Sequence, residues 1–507
     1  MRARRVVYNS LVKIIHDIIL VISGLVLPRL ILVHFGSDYN GMISSIIQFV
    51  GYISLLAAGV GGVTRAALYK PLAERDMIKV SEIIQATKIF MRKVAFIFGG
   101  VLIGIAVIYP FFVRDDFDWF FVFSIVLILG VGTLIRYYLG ITYEILLSAD
   151  QKKYIHTIIQ IGTTILNTAV AAYLIVAGHE IRVVKLASAI VFALNPVFIH
   201  LYVIKRYEIT RMAKPDNSVI KQRWDAVAHQ IANFIHSNAA LFILAAFVGV
   251  WEVSVYVIYY MVIRSIRGII QSLRGPAIEA LFGDMLAKKQ HKTVEKSLHL
   301  FEYINNSISA IFITCTAILI VPFVSVYTTG IYDVNYYRPL FALLICAGEL
   351  FNNIRIPYQS LTKAAGHYKQ TRNGAIVEVC INIIVSLILV QQLGLIGVAV
   401  GTLCAMIFRT IQYAVYVSRN IVSRNIRVFV RRLLLTFINI GVIVIASRFL
   451  PSMVETTFME WVSFALTNFG VAVGVTMLFS VLFYRSDLDT LVQVAKDVIS
   501  VRKEKAV

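Results

Sequence analysis

Arginine and lysine recur inside the apolar stretches of this chain, where charge is least expected. Lys13, Arg29, Arg136, Arg264, Arg267, Arg274, Arg355 and Arg409 all fall within, or at the ends of, segments long enough to cross a bilayer. A cation near the membrane centre costs ~3 kcal/mol or more and persists where it faces water, a partner or an anionic ligand. These eight therefore imply a polar path whose field favours negative cargo. Arg264, Arg267 and Arg274 form the densest group, spaced i, i+3 and i+10. Ten residues at about 100° each return to within about 80° of the start, so all three share a helical face. No acidic residue shares that face to neutralise them, Glu279 lying below it near the inner end. Together they suit charge-assisted hydrogen bonds to an anion such as a diphosphate or an acidic sugar. Arg29, beside Pro28 in the first span, also suits a cavity wall. Arg65, close to the inner surface, equally suits a side chain that snorkels to the interface.

Titratable residues offer a way to couple movement to an ion, H+ or Na+. His16 and Asp17 lie about two turns into the first span, and Asp225, His229 and His236 fall in the seventh. Buried carboxylates and imidazoles can titrate near neutrality and relay protons. Lys13 and Asp17 stand i, i+4, however, and such a pair can simply neutralise itself. Glu144, Glu302, Glu349 and Glu378 sit mostly near span ends, where solvated or ion-paired structural roles are expected. Cys315, Cys346, Cys380 and Cys404 are scattered through apolar spans without disulfide or metal spacing. There is no phosphate-binding glycine loop, zinc-protease helix or nucleophile elbow. The sequence predicts neither an enzyme nor a cofactor.

The elements that position these residues are membrane helices. Hydrophobic residues make up 59% of the chain and charged residues 15%, against roughly 25% in a soluble domain. At ~20 residues per crossing, the 507 residues hold about fourteen spans. The first is expected at 10–33, the second at 41–66, the third at 93–113, the seventh at 224–249 and the eighth at 253–283. With the N-terminus cytoplasmic, inner segments hold 35 Lys and Arg and outer ones 5, an asymmetry that fixes both termini inside. The net charge of +20 is then a topology signal, and nucleic acid is not a partner. The loop segment 77–90 has the apolar spacing of an amphipathic helix on the membrane surface. MRARR runs into a long first span without the short apolar core and cleavage site of a signal peptide.

A shift of 213 residues pairs His16 with His229, Gly36 with Gly249, Gly62 with Gly275 and Glu82 with Glu295. Tyr143 meets Tyr358, and Asn167 meets Asn382, at a shift of 215. Six spans separate the copies, so the halves share an orientation about an axis along the membrane normal. The expected organisation is an N-lobe over 1–217, a C-lobe over 218–430, and 431–507 as two further spans with a cytoplasmic tail. KPDNS (214–218) reads as the linker between lobes. Pro28, which removes a backbone hydrogen bond, and the run Gly59, Gly61 and Gly62 are candidate hinges in the first two spans.

The segment PYQSLTKAAGHYK (357–369), an Asn382-bearing span and LGLIGVAVGT (393–402) resemble the polysaccharide-exporter branch of the multidrug/oligosaccharidyl-lipid/polysaccharide (MOP) flippase superfamily. SGLVLPRLILVHFGSDYNGMISSIIQFVGYISLLAAGVGG (23–62) is similar to the first two spans of that group. The resemblance implies an all-α polytopic membrane fold, with two parallel six-helix lobes in a V shape and a cavity lined by spans one, two, seven and eight. It implies a flippase of the O-antigen repeat-unit (Wzx-like) type, moving an undecaprenyl-diphosphate-linked oligosaccharide by alternating access across a bacterial inner membrane. Arg29, Arg65, Arg264, Arg267 and Arg274 correspond by span to the family's lining arginines, with Arg355 a further candidate. The implied partners are the lipid-linked glycan, membrane lipids and polysaccharide polymerase or assembly proteins. A lipid II flippase and a cation-coupled multidrug exporter are the alternatives, the latter expected to favour an acidic cavity.

Overall fold

The structure, a computed structural model, describes residues 2–53, 55–113, 117–210, 239–274, 278–451 and 457–491, with 215 and 493. Among them there is no strand, and we number seventeen α-helices. These are α1 Arg2–Phe35, α2 Ser37–Ile53, α3 Leu55–Glu74, α4 Met77–Ile108, α5 Trp119–Ile135 and α6 Ile141–Ala149. Next come α7 Lys153–Val176, α8 Ile181–Arg206, α9 Val250–Arg274, α10 Ile278–Ala287, α11 His291–Tyr327 and α12 Pro339–Ile354. The last are α13 Ile356–Ala364, α14 Tyr368–Leu393, α15 Leu395–Asn420, α16 Arg427–Ser447 and α17 Phe458–Phe483.

Among the described residues, twelve segments are long and apolar enough to cross a membrane, and they match twelve expected spans to within a few residues at most ends. The expected span 41–66 is covered by α2 and α3, with residue 54 between them outside the described residues. Most of the expected span 224–249 lies outside the described residues, as do most of the linker and the 217/218 lobe boundary. The chain is an all-helical, multi-span membrane protein. One expectation is corrected. Residues 77–90 are not a separate surface helix but the first turns of α4, whose Asp76 cap accepts the Lys79 amide at 2.9 Å. Val80, Ile83, Ile84, Thr87 and Met91 are buried, so the apolar face that suggested a membrane surface packs against protein.

The helix bounds make the internal repeat visible. Gly36 and Gly249 both have positive φ, +90° and +134°, and the next residues, Ser37 and Val250, open α2 and α9. Arg75 and Lys289, then Gln151 and Gly366, are further positive-φ pairs at separations of 214 and 215. Helices α6 and α13 have identical length and a separation of 215 at both ends.

Residues Met1–Val257 with Gly330–Val334 form one compact unit, and Ile258–Thr329 with Asn335–Val507 form another. In the first, α1 packs on α7, α7 and α5 on α8, and α3 on α4 and α6. Met42, Ile46, Phe98, Val122, Ile125, Leu146 and Ile199 are among its fully buried apolar residues. Asp333 caps α2 from afar, accepting from the Ser37 amide at 2.6 Å and hydroxyl at 2.8 Å. Gly41 lets α2 touch the start of α9, since a Cβ there would lie 1.6 Å from the Val250 carbonyl oxygen. In the second unit α14 and α15 form a hairpin through Gly394 (φ +53°). They approach so closely that a Cβ on Gly401 would lie 2.2 Å from the Ser386 hydroxyl, the small-residue packing typical of membrane helices. Helices α16 and α17 dock on α11 around Cys315, Ile443 and Ala472.

Candidate functional site

Lipid offers a side-chain charge no partner, so each in-span cation is defined by what the fold places beside it. Helix α9 carries the central stripe. Tyr260, Arg264, Arg267, Gln271 and Arg274 recur at i, i+4, i+7, i+11 and i+14, within about 40° of one line at 100° per residue. Arg264 lies about 21 Å along the helix from Val250 at 1.5 Å per residue, which is near mid-span. It is exposed, its guanidinium 5.8 Å from the centroid of the Tyr260 ring, and among the described residues no carboxylate pairs with it.

Arg267 is neutralised from outside its own helix face. Its Nε donates to both carboxylate oxygens of Glu349 on α12 at 3.1 Å, and its Nη2 donates to Oε2 at 2.5 Å. The partner comes from another helix, 82 residues on in the chain, where helical-face arithmetic cannot reach. Glu349 is 2% exposed while Arg267 is 34% exposed, so the pair has a sealed side and an open side. Arg274 ends α9, and its side chain lies outside the described residues.

Arg355 sits in the break between α12 and α13, where Pro357 cannot continue the backbone ladder. It is turned inward: its Nη1 donates to Glu378 on α14 at 2.7 Å. Arg409 on α15 reaches the same carboxylate at 3.2 Å, and also donates to the Thr371 carbonyl, Gln412 and Tyr413. One carboxylate thus serves two guanidiniums, that of Arg409 buried and that of Arg355 nearly so. A second such cluster escaped the sequence reading, because Arg424 and Arg432 counted there as inner-loop charges. Glu302 on α11, 1% exposed, holds both Arg424 and Arg432, and Arg432 also donates to Asp487 at 2.9 Å. Glu302, Glu349 and Glu378 are buried ion-pair anchors and not solvated end residues.

In the first unit, Lys13 and Asp17 pair at 2.6 Å with both side chains more than half exposed. His16 is buried 3.4 Å from Asp17, and its Nε2 has no hydrogen-bond partner among the described residues. Asp225 and His229 lie outside the described residues. Arg29 is half-buried and engaged, whereas Arg65 on α3 is exposed without a carboxylate partner among the described residues. Arg136 opens a π turn over Arg136–Gly140 and grips Glu144 through two bonds of 2.9 and 2.8 Å. His156 stands 3.9 Å from the same carboxylate. Pro28 lies within the continuous α1, and Gly59, Gly61 and Gly62 lie within α3. Among the described residues no cluster of His, Cys, Asp and Glu could hold a metal ion.

No family model matches the sequence, and no curated protein matches it. Among solved structures, the lipid II flippase MurJ in an inward closed conformation superposes with TM-score 0.68 and 15% identity. That match covers 95% of this chain and 99% of the other. An inward-facing multidrug resistance MATE family transporter of the MOP superfamily gives 0.55 at 13% identity, covering 79% and 95%. A MOP superfamily transporter from Pyrococcus furiosus, described as having a binding pocket of reverse polarity, gives 0.54 at 15%, covering 82% and 96%. The likeness is one of architecture: this chain shares the fold of these solved membrane proteins.

Proposed function

We propose that this protein is a flippase carrying an undecaprenyl-diphosphate-linked oligosaccharide, a surface-polysaccharide repeat unit, from the cytoplasmic to the periplasmic leaflet of a bacterial inner membrane. The observation that carries the reading is the α9 stripe. Arg264 is exposed near mid-span with no carboxylate partner among the described residues, and Arg267 keeps an open edge beside it. A diphosphate presents several acceptor oxygens and negative charge, which two guanidiniums at i, i+3 can bracket with charge-assisted hydrogen bonds. The sugars follow in water, the prenyl tail stays in lipid, and no covalent bond is made or broken.

Alternating access through the two repeats moves the cargo, coupled to H+ or Na+, with Pro28 and the Gly59–Gly62 run as bends. The basic inner loops support cytoplasmic termini. The expected partners are the cargo, the surrounding lipids and the polymerase or assembly proteins of the same polysaccharide. The cationic stripe argues against a multidrug exporter of organic cations, which needs an attracting negative field.

The test is mass-spectrometric analysis of lipid-linked precursors in a deletion strain, with staining of surface polysaccharide. Accumulated undecaprenyl-diphosphate repeat units with lost surface polymer are the expected result. Accumulated lipid II moves the cargo to cell-wall precursor on the same fold. Drug sensitivity without any accumulated precursor refutes the reading.

A further inference from the structure

Among the described residues of the second unit, Glu302, Glu349 and Glu378 are buried and hold arginines, and the most open of these pairs is Arg267–Glu349. In the Arg424–Glu302 pair both side chains are at least 97% buried, and in the Arg409–Glu378 pair at least 92%. Arg267 is one-third exposed while Glu349 is sealed behind it. Glu349 is also supplied with donors beyond the guanidinium. Asn353 Nδ2 reaches Oε1 at 2.8 Å, and Asn352 Nδ2 reaches Oε1 at 3.3 Å and Oε2 at 3.4 Å. A buried carboxylate that loses its only donor is strongly destabilised. Here two amides remain in place if the guanidinium swings away.

We propose that Glu349 is a built-in counterion which the anionic cargo displaces from Arg267, so that a carboxylate of this chain and a phosphate of the cargo compete for one guanidinium. The inference rests on the flippase reading above and gives that site its release step. An arginine left bare in a low-dielectric site would hold a diphosphate tightly, and a carrier must let go. With Glu349 present, capture exchanges one charge-assisted pair for another, and the Asn352 and Asn353 amides keep the vacated carboxylate solvated. Release is the reverse exchange, in which Arg267 returns to a carboxylate already held in position. Arg264, one turn away, meets the same diphosphate without such a competitor and supplies the initial attraction. Glu349 is thus a positioning residue: it acts on the cargo only through Arg267.

The experiment measures binding of farnesyl diphosphate, a short polyprenyl diphosphate, to the purified full-length protein in nanodiscs by titration calorimetry. Glu349→Gln should tighten binding by roughly tenfold, as expected for removal of one close competing charge, whereas Arg267→Gln should weaken it. The double variant should bind like Arg267→Gln alone, because Glu349 has nothing to compete for once the guanidinium is gone. A merely structural Glu349 predicts the opposite sign, with Glu349→Gln weakening binding. If Glu349→Gln does not fold, Glu349→Asp replaces it: the shorter carboxylate keeps its charge but loses reach, and binding should tighten by a smaller factor. Unchanged or weaker binding in the folded Glu349 variant overturns the counterion role. If at the same time Arg264→Gln and Arg267→Gln still weaken binding, the flippase reading survives that failure. If neither arginine variant changes binding, both fall together.

Discussion

Glu302 gives the sharpest test of the buried charge network. Its carboxylate is 1% exposed and faces Arg424, 3% exposed, and Arg432, 9% exposed. Glu302→Gln keeps the size and removes the charge. Arg432 would retain Asp487 at 2.9 Å and the His299 carbonyl at 2.6 Å. Arg424 would keep no charged partner among the described residues, only the neutral Gln carbonyl, the Tyr358 ring and the Tyr358 hydroxyl at 3.5 Å, the last at the limit of a hydrogen bond. One buried guanidinium therefore loses its counterion, and breaking one partner out of a buried pair costs about 3–5 kcal/mol. At ~2–4 °C per kcal/mol for domains of this size, melting should fall by roughly 6–20 °C. A thiol-reactive dye reads this directly, because Cys315 and Cys346 are buried and Cys380 is exposed, setting the baseline. Asp487→Asn is the internal control: Asp487 is 21% exposed, and Arg432 keeps Glu302 at 3.4 Å, so its shift should be the smaller. Melting of Glu302→Gln within about 2 °C of the parent, or no lower than Asp487→Asn, would refute the assignment of Glu302 as the anchor.

Glu378→Gln should lower the melting temperature more than Arg355→Gln in the same dye assay, since only the first strands two guanidiniums that share one carboxylate. Gly41→Leu should abolish a monodisperse size-exclusion peak, because even its Cβ overlaps the Val250 carbonyl. Asp17→Asn breaks a pair that is more than half exposed, worth about 1 kcal/mol or less. Its melting should match the parent, and an unshifted pH profile of transport would remove Asp17 as a coupling site. Arg264→Gln and Arg267→Gln should leave folded protein in the membrane yet fail to clear precursor from a complemented deletion strain; clearance by both variants would sink the cationic site.

Span positions were legible because hydropathy over some twenty residues answers to one cause, the thickness of the bilayer. The repeat was legible through glycines. Gly36 and Gly249 stand before matching helices because a left-handed turn tolerates few other residues, and the pairing at 213 residues survives although the apolar residues around it do not match. Partner choice was not legible. Glu349, Glu378 and Glu302 meet Arg267, Arg355 and Arg424 across 82, 23 and 122 residues, and helical periodicity reports only neighbours within a helix. The same limit explains the misplaced 77–90 segment: its amphipathic face was read correctly, but periodicity does not say whether protein or headgroups cover it. Arg424 and Arg432 were hidden for another reason, since a basic inner segment looks the same whether its charges are solvated or drawn into a core.

Among the described residues, the in-span cations Lys13, Arg136, Arg267, Arg355 and Arg409 each meet a carboxylate. Those contacts offset the cost of charge in the membrane locally and ask for nothing further. Arg264 does not fit that account. A central guanidinium costs ~3 kcal/mol or more in lipid, and its ring contact with Tyr260 at 5.8 Å contributes ~0.5–1 kcal/mol at an exposed site. The deficit of about 2 kcal/mol is left uncovered by the described residues. Water meets it if α9 lines a hydrated path, and an anion meets it better, because two donors at i, i+3 then share one ligand. Bare lipid meets it in neither case. On the flippase reading proposed above, Arg264 near mid-span calls for a wet surface at that depth, and the Arg267–Glu349 pair beside it would keep that surface cationic without trapping what it attracts.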